Sequence, residues 1–110
     1  MIQEEKQLLL KDLCARLLYE VILLSPNNKI TYQTDGNTAA ELLVEEGWKP
    51  YLRSMSSMTE EEKKEYENCY QSDDTTTATL LIDFYNKKHF DYRGLIKIGL
   101  AIEAPEGMYN

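Results

Sequence analysis

One histidine and two cysteines in 110 residues leave little material for side-chain chemistry. Cys14 and Cys69 lie far apart, and with His89 as the sole imidazole they cannot complete a structural zinc site. Glycine numbers five and proline three, and no glycine-rich phosphate loop is present. No serine or cysteine stands in a nucleophile–base arrangement, and Asp73-Asp74 followed by three threonines lacks the ligand intervals of a calcium loop. The sequence therefore predicts no catalytic, metal or cofactor-binding residues and a protein that is not an enzyme.

Long apolar runs are missing as well. The longest, Val21 to Leu24, falls far short of the ~20 residues that cross a bilayer. Leu8-Leu9-Leu10 is bracketed by Glu4, Glu5 and Lys6 and by Lys11 and Asp12, which reads as an amphipathic helix and not a secretory signal. The expectation is a cytoplasmic protein with no membrane contact and reduced thiols, Cys14 being buried on the apolar stripe of that helix.

What is abundant is acid and tyrosine. The net charge of −7 is concentrated between residues 59 and 74, where seven carboxylates face two lysines. Such a balance disfavours nucleic acid, whose phosphates reward clustered positive charge. Eight tyrosines, against two phenylalanines and one tryptophan, suit an interface or the edge of a small core, and leave homo-oligomer formation open.

Along the chain, Leu9, Leu10, Leu13, Cys14, Leu17 and Leu18 recur at helical spacing, with Lys6, Asp12 and Arg16 assigned to the outer face. Tyr19 to Ser25 reads as a strand, Pro26-Asn27-Asn28 as a turn and Ile30-Thr31-Tyr32 as a second strand closed by Asp35-Gly36, giving a hairpin or meander. Residues 38–47 support two readings. Thr38 and Glu41 make a capping box with Gly47 as a stop, whereas Leu42-Leu43-Val44 serves equally as a strand. Pro50 argues against a regular element through Lys49 to Leu52 unless it begins a helical turn.

Thr59 and Glu62 form a second capping box, so a helix starts there. "QSDDTTT" reads as a loop, Ala78 to Lys88 as a helix with Leu81, Phe84 and Tyr85 inward, and Asp91 as the cap of a short further helix carrying Leu95, Ile96 and Ile98, ended by Gly99.

Two surfaces are candidates for partners. Glu60, Glu61, Glu62, Glu65 and Tyr66 form an acidic helix face suited to docking another protein. Lys87, Lys88, Arg93 and Lys97, interleaved with Phe90 and Tyr92, form the alternative, a nucleic-acid contact resembling helix-turn-helix geometry, although Asp83, Asp91 and Glu103 neutralise the region. His89 is expected to be structural, since no orienting group or nucleophile marks it as a base.

Three stretches, "LLLKDLCARL" at 8–17, "KPYLRSMSSMTEEEKKEY" at 49–66 and "FYNKKHFDYRGLIKIGLAIEAPEGMY" at 84–109, resemble a group of small uncharacterised proteins of Bacteroides and related gut bacteria, often associated with phages and prophages. The resemblance covers about half the chain. It implies a mobile-element context without a mechanism, and a middle section of short strands forming a small curled sheet, which favours strand at Glu41 to Val44. Together these readings predict a single α+β domain over residues 1–110. It has an N-terminal helix, a small antiparallel, barrel-like sheet of three or four strands and two or three C-terminal helices. Its expected role is that of an accessory or interaction protein with a protein partner.

Overall fold

The computed structural model describes residues 2–16, 19–28, 31–34, 42–43 and 46–109. The order is helix α1 (Gln3–Ala15), strands β1 (Val21–Leu24), β2 (Thr31–Thr34) and β3 (Lys49–Leu52), a 3-10 turn at Met55–Ser57, helices α2 (Glu60–Asn68) and α3 (Asp74–Lys87), and strand β4 (Ile102–Glu103). The α+β class follows, and the helix over the N-terminal leucines is present.

The buried face of α1 is not the leucine stripe alone. Leu9 and Leu13 are in the core as the spacing requires, but Asp12 and Arg16 are buried beside them and Cys14 is exposed. The inward face is thus rotated toward Asp12 and Arg16, which correct the expected solvent-facing assignment. It can turn that way because the two side chains neutralise each other and Arg16 finds a further acceptor on Phe90. Leu17 and Leu18 lie outside the described residues.

β1 and β2 pair antiparallel, Val21 opposite Thr34 and Leu24 opposite Thr31, across the Pro26-Asn27-Asn28 turn. Asn28 takes a φ of 60°, the left-handed region that asparagine tolerates. The sheet order is β2-β1-β3-β4, so the strands do not follow one another as a meander, and among the described residues β2 and β4 are the edges of an open sheet in place of a barrel. Nor is the sheet wholly antiparallel. β4 runs parallel to β3, because the chain between them passes through both later helices and returns in the same direction.

Pro50 sits within β3, against expectation. Tyr51 directs its carbonyl to the β1 side, where the Tyr109 hydroxyl meets it, so the alternation of the strand turns the Pro50 nitrogen toward β4. The β3–β4 ladder begins only at Tyr51, and the missing N–H costs no bond there.

Leu42 and Leu43 are helical, which corrects the preference for strand at Glu41 to Val44. The amide of Trp48 closes on the carbonyl of Leu42 at 3.0 Å, and Gly47 takes the positive φ of 76° that such a stop demands. Thr38, Glu41 and the Asp35-Gly36 pair lie outside the described residues.

α2 starts as its capping box requires, Thr59 Oγ1 accepting from the Glu62 amide at 3.2 Å and the Glu62 carboxylate from the Thr59 amide at 3.0 Å. α3 begins earlier than the sequence suggests, within the stretch read as a loop. Asp73 accepts from both the amide and the hydroxyl of Thr76, which supplies the cap. The expected helix after Asp91 does not form. The Asp91 carboxylate accepts from the amides of Leu95 at 2.8 Å and Ile96 at 3.0 Å, taking donors that a helix would give to backbone carbonyls. Residues 92–100 are consequently a set of turns, with Gly94 and Gly99 at positive φ.

Among the described residues, three apolar clusters hold these pieces together. Leu9 meets Leu52 and Leu95 in the first, so the N-terminal helix and the closing segment cover one part of the sheet. Leu13, Val21, Leu23 and Leu43 form the second, and Cys69, Phe84 and Phe90 the third, under the α2–α3 hairpin. Leu81 and Tyr85 pack on that third cluster, as their spacing predicts.

Candidate functional site

The residues around His89 assemble a buried polar centre. Arg16, 1% exposed, donates to both carboxylate oxygens of Asp12, at 2.8 and 3.1 Å, and to the carbonyl of Phe90 at 2.7 Å. Arg93 approaches the same carboxylate at 3.4 Å, close enough for ionic attraction but without hydrogen-bond geometry at its Nε. On the far side, Arg53 makes a two-pronged pair with Glu62, both contacts 2.7 Å. That hydrogen bonding holds the Glu62 carboxyl at about 2, well below the usual carboxylate range, against an opposing effect of burial.

His89 follows the last turn of α3 at a φ of 65°, a position where glycine is ordinary. Its ring stacks on Tyr109, centroids 3.8 Å apart and planes 13° from parallel. Burial, then the charges of Arg16 and Arg53, lower its pKa to about 4, so the imidazole is neutral at physiological pH. Among the described residues no carboxylate is hydrogen-bonded to the ring, and Nδ1 is buried without a partner. A general base needs an orienting group and a pKa near the working pH. Among the described residues no such orienting group contacts His89, and its ring packs on Tyr109.

Near this centre a cleft of about 370 Å³ opens between Arg53, Ser57 and Thr59 on one wall and Glu103 to Tyr109 on the other. The Arg53 guanidinium within it is already engaged by Glu62. Among the described residues no group of histidine, cysteine or carboxylate side chains could hold a metal.

The acidic helix face divides. Glu60, Glu61 and Glu65 are exposed, Glu60 contacting Lys63 at 3.2 Å and Glu65 contacting Lys88 at 3.6 Å. Glu62 is buried against Arg53. Tyr66 is half-buried, its hydroxyl 2.8 Å from that of Tyr70. The basic set divides too. Lys87 and Lys97 face solvent, whereas Lys88 turns to Glu65 and Arg93 turns inward to Asp12 and over the Tyr92 ring. With turns where the second helix was expected, the helix-turn-helix comparison no longer applies.

A surface that the sequence did not single out is the outer side of the α2–α3 hairpin. Tyr70, just beyond α2, is 54% exposed, and on α3 Leu80 is 38% and Ile82 42% exposed. The helical period alone assigns Leu80 and Ile82 to opposite flanks of the inward stripe, and that was the available signal. Among the described residues, no helix is long and apolar enough to cross a membrane. No family model, curated protein or solved structure matches the chain.

Proposed function

We propose that this chain is a non-enzymatic protein-interaction module, of phage or mobile-element origin, that docks another protein through the α2–α3 hairpin. The observation that carries the reading is the exposure of Tyr70, Leu80 and Ile82 on one hairpin whose inner stripe alone is used by the fold. Tyrosine and large aliphatic side chains left exposed on one hairpin, with charged residues between them, have the composition of a contact surface. The origin rests on the resemblance of the three stretches quoted above.

Nucleic-acid contact through Lys87, Lys88, Arg93 and Lys97 has less behind it, because two of the four cations are directed at carboxylates of the same chain. The test is parallel affinity capture with the native chain and with Ile82→Glu, whose melting temperature should match because the site is exposed. A stoichiometric protein partner held by the native chain and lost by the variant is expected. Identical capture by both would overturn docking through the hairpin.

A further inference from the structure

This inference rests on the interaction reading and specifies the partner. We infer that the tyrosine row on α2–α3 receives a basic, arginine-bearing amphipathic segment of another protein.

The row begins with Tyr66 and Tyr70, ring centroids 5.4 Å apart and edge-to-face. Tyr66 packs on the same apolar cluster as Tyr85, and Tyr85 stacks on Tyr92 at 5.4 Å. The chain shows how it uses such faces. Arg16 and Arg93 lie over the Tyr92 ring at 5.3 and 4.8 Å, and Arg53 over Phe90 at 4.3 Å. A guanidinium above an aromatic face is attracted by the ring quadrupole and stacks on its plane. One end of the row thus has its own arginines. At the other end, among the described residues, Tyr66, Tyr70 and Tyr85 carry no cation.

The charge flanking Tyr70 has the complementary sign. Glu67 lies three residues before Tyr70, Asp73 and Asp74 three and four after it, all exposed and none in an ion pair among the described residues. Asp74, Ala78, Leu81 and Tyr85 recur at helical spacing, which sets the Asp74 carboxylate at the end of the stripe that Tyr85 occupies. Ile82 adds exposed apolar area on the same helix. A segment alternating arginine with leucine-like residues satisfies all three features: guanidinium on tyrosine, guanidinium to carboxylate, apolar on Ile82. A second copy of this chain does not, since its three arginines, Arg16, Arg53 and Arg93, are engaged within their own chain. Nucleic acid is repelled by these carboxylates.

The probe is a short helical peptide of arginine, leucine and alanine, with a sister peptide in which glutamate replaces arginine. Titrated into the intact protein at low salt, the arginine peptide should shift the amide signals of residues 66–70 and 78–85. Tyr70→Ala and, separately, Asp74→Asn should each weaken it, the tyrosine variant by about tenfold or more. The glutamate peptide should not bind. Absence of binding by the arginine peptide, equal binding by both peptides, shifts confined to other regions, or self-association through the hairpin in sedimentation would each overturn the assignment. Capture that depends on Ile82 together with a silent arginine peptide would refute only the partner's chemistry, whereas capture indifferent to Ile82 refutes the docking reading itself.

Discussion

The hydroxyl of Tyr109 donates to the carbonyl of Tyr51 at 2.7 Å while accepting from the amide of Ile22 at 2.9 Å. With Leu23 opposite Pro50, the antiparallel register would bring Ile22 opposite Tyr51, and the side chain takes the place of a direct ladder bond. β1 and β3 diverge at that point. Arg53 then pairs instead with the Phe90 segment, its amide donating to the His89 carbonyl and its carbonyl accepting from the Asp91 amide, both at 2.8 Å. Tyr109 therefore joins two strands and the loop that carries His89.

Tyr109→Phe keeps the ring on His89 and removes both hydroxyl bonds. Leaving an amide and a carbonyl unpaired in a part-buried gap costs about 1–3 kcal/mol. Urea denaturation should read that loss, and hydrogen exchange should show the Ile22 amide losing protection ahead of its neighbours. An unchanged exchange rate at Ile22 would contradict the wedge.

Removing Arg16 should be more damaging. Arg16→Met strands the buried Asp12 carboxylate, with Arg93 at 3.4 Å as its remaining cation, and deprives the Phe90 carbonyl of its donor. Breaking a buried pair in this way costs about 3–5 kcal/mol, a large share of the ~5–15 kcal/mol that holds a domain folded. A loss below about 1 kcal/mol would mean the pair is not desolvated in solution.

At His89 the backbone and the side chain pull in opposite directions. Alanine retains the cost of a left-handed residue, about 1–2 kcal/mol, whereas glycine does not. Both lose the stack on Tyr109. His89→Gly should accordingly be more stable than His89→Ala by about 1 kcal/mol in thermal or urea unfolding. The reverse order would show that φ at this position carries no strain.

Acid should destabilise the fold in two overlapping windows. Glu62 is lowered from 4.5 to about 2 by Arg53, so the stability it contributes is complete above 4.5 and lost as pH falls toward 2. His89 is lowered from 6.5 to about 4, so the unfolded chain binds its proton first and stability falls from pH 6.5 down through 4. At the alkaline end, burial raises Tyr109 from 10 to about 12, and stability should decline as pH rises through that interval. Melting temperature against pH reads all three. His89→Gln should flatten the slope between pH 6.5 and 4 while leaving the lower limb.

The two thiols should be separable by reactivity. Cys14 is exposed on α1, while Cys69 is buried and its pKa is raised first by that burial and then by Glu65. An aromatic disulfide reagent at neutral pH should modify Cys14 promptly and Cys69 only on unfolding. Two equally fast thiols would place Cys69 at the surface.

Local features were legible in the sequence because they depend on nearest neighbours. Thr59 and Glu62 satisfy each other across one turn, Gly47 marks a stop, and Pro26-Asn27-Asn28 turns the chain between two strands, whatever the rest of the molecule does. The period of Leu9 and Leu13, and of Leu81, Phe84 and Tyr85, is likewise a property of the helix itself. Tertiary structure decided which charged residues are inside. Asp12 and Arg16 have the spacing of any solvent-exposed helical ion pair, and their burial depends on the Phe90 carbonyl, 74 positions beyond Arg16, arriving as an acceptor. The same holds for Glu62, withdrawn from the acidic face by Arg53, and for the Asp91 carboxylate, which diverts two amides from a helix. An ionic group is buried only where distant chain brings compensating partners, and those partners are fixed by the folded arrangement, beyond the reach of local spacing.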